Sequence, residues 1–197
     1  MFAIRSLAVV MTFLVALTGR SVHGNASGAP VGACDNMTPG HSVPGQTSAA
    51  PYQLTVSKPV FGCKETIKLT LNSSTNEQLK GYLCQARTDV TKYVTTGTLT
   101  AIGGGKNFCN GTGSVTHMSN VSKSVVDFEW TAAEYNAGVP VNFVCTVVKS
   151  FNTFWVKGPK VTVTYEGGHC PAGAAQGIVG TWTTWAAIAV LMVASVL

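Results

Sequence analysis

The chain has 197 residues, of which 46% are hydrophobic and 11% charged, and its formal net charge is +5. This length suits a single domain with a sizeable core, whereas the weak, scattered positive charge does not indicate nucleic-acid binding. The six cysteines include no C-x-x-C pair, so the sequence lacks the usual zinc and thioredoxin spacings.

The N-terminal residues have the pattern of a secretory signal peptide. A positively charged start precedes an apolar run at Leu7–Leu17, which is shorter than the roughly 20 residues of a bilayer span. Val22 and Gly24 then supply the small residues of a cleavage site. We therefore expect cleavage after Gly24, with Ala26 as the alternative, so that residues 1–24 are the signal peptide.

The segment that follows, Gly28–Pro51, is rich in Gly, Pro, Ser and Thr, yet it contains Cys34. We call this segment the lead-in. A disulfide at Cys34 would tie it to the rest of the chain, so we expect an irregular but ordered structure.

From Tyr52 onward, the chain alternates between apolar and polar residues with the period of half-buried strands. This alternation predicts the inward-facing residues Ile67, Leu69, Leu71, Phe128, Trp130, Val141, Phe143 and Val147. The predicted strands are Tyr52–Val56, Glu65–Leu71, Gly81–Arg87, Val94–Thr100, Ser114–Met118, Ser124–Trp130, Val141–Val148, Thr153–Val156 and Lys160–Tyr165. About eight or nine short strands with this spacing predict an all-β fold, an antiparallel β-sandwich.

The C-terminus has the pattern of a glycosylphosphatidylinositol (GPI) attachment signal. Gly173 and the small residues directly after it are followed by a polar spacer and then by the apolar tail Trp185–Leu197. No charged residue follows Glu166. A transmembrane anchor usually has Lys or Arg on its cytoplasmic side. We expect lipid attachment at Gly173 and removal of residues 174–197, which makes residues 25–173 the mature domain; a membrane-spanning tail is the alternative.

Cysteines and sequons both fit a secreted domain. The even number of cysteines favours disulfides, although six cysteines allow 15 pairings. N-x-S/T sequons predict N-glycans, and therefore exposure, at Asn36, Asn72, Asn110 and Asn120. A fifth sequon, Asn25, lies at the predicted cleavage point.

The order of the motifs resembles the reeler domain. The motifs are GAPVGACDNMTPGH, PYQLTV, KGYLCQAR, SVTHM, VDFEWTA and VNFVCTVVKSFNTFWV, which together span about Gly28 to Tyr165. Reeler domains form the N-terminal module of reelin and F-spondin and nearly the whole of small insect defence proteins, and the single-domain layout resembles the latter most. The resemblance implies an immunoglobulin-like β-sandwich, in agreement with the strand pattern.

The resemblance also implies disulfide pairings. It pairs Cys34 with Cys109 and Cys145 with Cys170. The position of Cys84 is usually apolar in the family, and we expect Cys84 to form a third bridge with the remaining Cys63.

No catalytic constellation is evident in the sequence. G-x-S-x-G and H-E-x-x-H are absent, and the glycines of AIGGGKN are not followed by the Ser or Thr of a phosphate-binding loop. His41 and His117 lie in family motifs that the expected Cys34–Cys109 bridge would bring near each other, but a structural role is commoner for such histidines than metal binding. We predict no enzyme activity, no cofactor and no metal.

The resemblance implies an extracellular protein of innate immune defence that recognises microbial or host surfaces. The alternative is a cell-adhesion or matrix-contact module. The expected partners are a surface ligand, such as a microbial polysaccharide or an anionic glycan, and the membrane through the lipid anchor, but not nucleic acid. Larger family members related to ferric-chelate reductases carry haem-binding membrane domains; we find no such segment in these residues and expect no reductase activity.

Overall fold

A computed structural model describes residues 25–133 and 139–167. The predicted signal peptide, Cys170, the attachment site at Gly173 and the apolar tail lie outside the described residues. Within the described residues, no helix has the length and apolar character needed to cross a membrane. One short 3-10 helix, Val31–Ala33, precedes twelve strands: β1 (Tyr52–Val56), β2 (Val60–Phe61), β3 (Thr66–Ser73), β4 (Gly81–Asp89), β5 (Val94–Thr95), β6 (Thr98–Ile102), β7 (Gly105–Asn107), β8 (Ser114–His117), β9 (Val125–Thr131), β10 (Val141–Ser150), β11 (Thr153–Trp155) and β12 (Lys160–Tyr165).

The strands form two sheets, which confirms the predicted all-β class. Sheet I has the order β1-β3-β9-β6, and sheet II has the order β2-β12-β10-β4-β8-β7, with β11 beside β10 and β5 beside β4. The strand pairs are antiparallel except for β12 and β2, which are parallel. Strands β2 and β7 are too short to produce a recognisable alternation, and the sequence analysis missed them.

The predicted strand Val94–Thr100 is in fact two strands in different sheets. β5 pairs with β4 of sheet II, whereas β6 pairs with β9 of sheet I. The chain crosses between the sheets at Gly97, whose φ of +65° lies in the left-handed region. Trp130 Nε1 donates a hydrogen bond to the carbonyl oxygen of Thr96 at 2.9 Å, which fixes this crossing against the core.

The main core lies between the two sheets. All eight residues predicted to face inward are buried. Trp130 is fully buried and makes edge-on ring contacts with Phe61 at 5.0 Å and Phe143 at 5.3 Å between ring centroids. Asp127, on the opposite face of β9, is exposed and accepts a hydrogen bond from Thr70 Oγ1 at 2.7 Å.

Strand β4 is buried on both faces. Its residues Tyr82, Cys84 and Ala86 belong to the main core, while Leu83 belongs to a second cluster with Ala33, Met37 and Val144. The lead-in supplies Ala33 and Met37, so it covers the outer face of sheet II. The lead-in is therefore ordered, as expected, and forms a third layer that the sequence analysis did not anticipate.

Two disulfides are defined by the described residues. Cys34 pairs with Cys109, as the resemblance implied. Cys84 pairs with Cys145, so the expected Cys63–Cys84 and Cys145–Cys170 pairings are wrong. The reason is the strand order: β4 and β10 are neighbours, and their register puts Cys84 directly opposite Cys145, with Cα atoms 4.2 Å apart. Cys63 is also disulfide-bonded.

Candidate functional site

The lead-in is held on sheet II by Arg87, which is fully buried at the C-terminal end of β4. Its Nη2 donates to the backbone carbonyl oxygens of Asp35 at 2.6 Å and Cys34 at 3.2 Å, and its Nε donates to Gln85 Oε1 at 2.7 Å. The guanidinium also lies 5.8 Å from the centroid of the Tyr93 ring. Burial lowers the pKa of Arg87, with Asp35 opposing the shift, but an arginine remains charged in a protein. Arg87 is therefore a charged anchor that joins the lead-in to the sheet.

A cavity of about 420 Å³ opens between the lead-in and the outer face of sheet II. Glycine, alanine, proline and larger apolar side chains form most of its wall. The polar residues that line the cavity are fewer: His41, Lys80, His117, Asn120, Thr146 and Ser150, together with Asn25 at the start of the described chain. Its size lies within the range of small-molecule sites, about 300–1,000 Å³.

His41 reaches the cavity from the lead-in, where two aromatic rings hold it. Its ring centroid lies 4.5 Å from that of Phe151 and 5.0 Å from that of Phe154. Its Nδ1 is buried and has no hydrogen-bond partner among the described residues. Desolvation lowers the pKa of His41, although an interaction with the backbone of Phe151 opposes the shift, and the lowered pKa favours the neutral ring at pH 7.

His117 lies at the end of β8 and also lines the cavity. Its Nδ1 is 3.2 Å from the backbone nitrogen of Tyr82 and 3.1 Å from its carbonyl oxygen. Desolvation lowers the pKa of His117, and hydrogen bonds to the backbone of Tyr82 and Asn25 oppose this. Beside it, Thr116 Oγ1 accepts a hydrogen bond from the backbone nitrogen of Ala29 at 2.9 Å, which ties the start of the lead-in to β8.

The structure brings the two histidines singled out from the sequence to the same cavity. The described residues contain no group of three or more His, Cys, Asp or Glu side chains that could hold a metal ion. Backbone contacts with Tyr82 hold His117, whereas packing against Phe151 and Phe154 holds His41. The chemistry of the cavity is that of a binding site: an apolar wall with a few polar groups at its edges.

The predicted glycosylation sites differ in exposure. Asn36, Asn110 and Asn120 are exposed, and Asn120 borders the cavity. Asn36 accepts a hydrogen bond from the backbone nitrogen of Thr38 at 2.8 Å in a local turn. Asn72 lies within the interior strand β3 and is half-buried, with its Oδ1 unpaired. Glycosylation at the four sites stays a prediction, with Asn72 the least accessible.

The buried Arg87 and the cavity were both missed by the sequence analysis. Arg87 alternates with Cys84 and Ala86 along β4, so it falls on the face that a simple sandwich exposes to solvent. The only available signal was the lead-in itself: an irregular segment with a cysteine must cover some part of the sandwich. Nothing in the local pattern says which part.

The two sheets and the disulfide-linked lead-in define a disulfide-stabilised β-sandwich domain, and comparisons with known proteins give its family. The Reeler domain matches residues 32–170. The chain belongs to the Reeler domain family, as the motif order indicated.

Curated relatives fall into two groups. The chain is 35% identical over 144 residues to "Putative defense protein 3" of Antheraea mylitta, covering 70% of this chain and 85% of that protein. It is 34% identical over 160 residues to "Putative ferric-chelate reductase 1" of Danio rerio, covering 79% of this chain. The match spans only 26% of the reductase, about a quarter of its length.

Solved structures support the fold. The human F-spondin reeler domain matches with a TM-score of 0.53 at 14% identity, covering 63% of this chain and 94% of that domain. At this level of identity, the likeness concerns the arrangement of strands and not the ligand.

Proposed function

We propose that this protein is a recognition module of innate defence that acts outside the cell, tethered to the surface by a lipid anchor. The observation that carries the proposal is the 35% identity to a defence-named protein along 85% of that protein's length. A relative that shares nearly its whole length supports a common role better than one that shares about a quarter.

The proposed activity is binding and not catalysis. The exposed strand face of sheet I offers a surface for a microbial polysaccharide or an anionic glycan, and the cavity offers a site for a smaller, more apolar ligand. The reductase name belongs to a protein of which this chain matches only 26%, and nothing in the cavity suggests electron transfer.

The lipid anchor is supported by the C-terminal sequence. Small residues at Gly173, a polar spacer and an uncharged apolar tail follow the pattern of a GPI signal. Cells that express the full chain should incorporate labelled ethanolamine into the protein, because ethanolamine joins a GPI anchor to its protein. A mature, membrane-bound protein that retains a peptide ending at Leu197 would contradict the anchor.

Adherence of microbes to cells that display the full chain tests the recognition role. Fluorescent Gram-negative bacteria, Gram-positive bacteria and yeast are incubated with expressing cells and with cells that carry the empty vector. We expect excess binding of at least one class to the expressing cells. No excess binding, combined with aggregation of the expressing cells, would contradict the defence role and support the adhesion alternative.

A further inference from the structure

We propose that the cavity binds an amphiphile with one apolar chain and an anionic head group. This inference rests on the proposed recognition role and names the ligand chemistry of the site. It depends on three features of the cavity: its volume, its wall and the charge at its edge.

The volume suits a single medium-length chain. At the roughly 30 Å³ that a molecule of liquid water occupies, a cavity of about 420 Å³ holds about 14 groups of that size. Dodecanoate, with its hydrocarbon chain and carboxylate, has a similar number of heavy atoms. A two-chain lipid would place most of its hydrocarbon outside.

The wall favours hydrocarbon over sugar. It is lined by Ala29, Pro30, Ala33, Met37, Leu83 and Val148. A saccharide placed against these side chains would lose hydrogen bonds to water without replacing them, which disfavours its binding. An alkyl chain gains free energy from the same contact because it leaves water. Phe151, which is 39% exposed, extends the apolar surface to the mouth of the cavity.

The charge at the edge favours an anion. Lys80 lines the cavity and is exposed, and it forms no ion pair among the described residues. By contrast, Lys58 and Lys149 are paired with Glu65 and Glu77. No aspartate or glutamate is among the described residues that line the cavity. If the signal peptide is cleaved after Gly24, the α-amino group of Asn25 adds a second positive group at the same edge.

His41 lines the cavity with its ring in tilted contact with Phe151, 4.5 Å between centroids, and it adds aromatic surface to the wall. The head group of the amphiphile would lie where it can reach the Lys80 ammonium.

Photolabelling of the full chain tests the proposal. A diazirine derivative of dodecanoic acid is irradiated with a culture that expresses the protein, and the protein is captured from cells and medium together. Capture from both fractions makes the result independent of the lipid anchor and of any microbial binding. We expect the label on peptides that contain lead-in residues 29–41 and residues 146–151.

A matched pair of glycine variants locates the site. At Gly40, which lines the cavity, an added Cβ meets only the Pro30 ring, at 3.5 Å and 3.9 Å, so the backbone accepts a side chain there and Gly40→Leu adds bulk beside the cavity. At Gly32, in the same segment but outside the lining, an added Cβ meets nothing within 4 Å, so Gly32→Leu is the control. We expect Gly40→Leu to lower labelling roughly five- to ten-fold and Gly32→Leu to leave it unchanged.

Competition identifies the head group. Lys80→Gln should lower labelling about two- to five-fold, whereas Lys160→Gln, an exposed control, should not. Unlabelled dodecanoate should compete better than dodecyltrimethylammonium, and comparison with dodecyl phosphate distinguishes a carboxylate from a phosphate source.

Equal labelling of the two glycine variants, or equal competition by the cationic amphiphile, would overturn the proposal. If microbes fail to bind but the labelling pattern holds, the proposed function fails and the ligand site stands.

Discussion

Arg87 Nη2 donates a hydrogen bond of 2.6 Å to the carbonyl oxygen of Asp35, which lies 52 residues earlier in the chain. This contact joins the outer face of sheet II to the lead-in and keeps the lead-in in place over the cavity. A charged hydrogen bond of this kind is worth about 1.5–3 kcal/mol, and the same guanidinium makes several.

The first prediction concerns this anchor. Arg87→Met should lower the free energy of unfolding by roughly 2–5 kcal/mol, because the carbonyl oxygens of Cys34 and Asp35 lose their buried partner. Urea denaturation followed by tryptophan fluorescence measures the loss. Lys160→Met, at an exposed position, should change it by less than about 0.5 kcal/mol. Equal stability of the two variants would show that Arg87 does not hold the lead-in.

The second prediction concerns the disulfides. Peptide mapping without reduction should find Cys34 linked to Cys109 and Cys84 linked to Cys145. Cys63 is disulfide-bonded, and with these four cysteines paired we expect its partner to be Cys170. A peptide that links Cys63 to Cys84 would contradict the register of β4 against β10.

In the chain-entropy model, the 61-residue separation of Cys84 and Cys145 makes their disulfide worth roughly 4 kcal/mol. Replacing both cysteines with alanine should therefore lower the free energy of unfolding by a similar amount.

The third prediction compares two glycines with positive φ. An added Cβ at Gly97 would lie 2.4 Å from Trp130 Nε1 and 2.5 Å from the carbonyl oxygen of Thr131, whereas at Gly103 it meets nothing within 4 Å. Gly97→Ala therefore suffers both backbone strain and a clash, and Gly103→Ala suffers strain alone. We expect Gly103→Ala to cost about 1 kcal/mol and Gly97→Ala about 1–3 kcal/mol more in the free energy of unfolding. Similar thermal stability of the two variants would place Trp130 elsewhere.

The fourth prediction concerns pH. Burial lowers the pKa of His117 below its ordinary value of 6.5. Between that lowered pKa and 6.5, the unfolded chain binds more protons than the folded chain, so the free energy of unfolding rises with pH. The contribution of His117 is fully present above about pH 6.5 and is lost as the pH falls through the folded pKa.

Denaturation series at pH 7.5 and at lower pH values check this dependence. His117→Gln should make the free energy of unfolding less dependent on pH in this range, even if it lowers stability throughout. An unchanged slope would show that His117 titrates as it does in the unfolded chain.

The sequence predicted the strands better than the layers around them. The alternation of Ile67, Leu69 and Leu71 depends only on which face of a strand meets the core, so it is visible locally. The pairing of Cys84 with Cys145 depends on β4 lying beside β10, and strand order is not a local property. Gln85 and Arg87 lie on the face of β4 opposite Cys84 and Ala86, and the lead-in that covers this face has no periodic pattern from which the cover could be predicted.

The candidate site was predictable only in part. The expected Cys34–Cys109 bridge correctly suggested that the segments of His41 and His117 approach each other, and both residues line one cavity. The cavity itself arises from imperfect packing of an irregular segment on a sheet. Such a gap depends on three-dimensional shape, and no residue type or spacing in the sequence encodes it.

The central claim is that this is a recognition protein that acts through its cavity. The most direct test compares how well microbes adhere to cells that display the full chain with Gly40→Leu and to cells that display it with Gly32→Leu. With equal surface display of both variants, we predict that Gly32→Leu retains the excess adhesion of the unmodified chain and that Gly40→Leu falls toward the level of the empty-vector cells. Equal adhesion of the two variants would contradict a role for the cavity in recognition, and the absence of excess adhesion for the unmodified chain would contradict the recognition role itself.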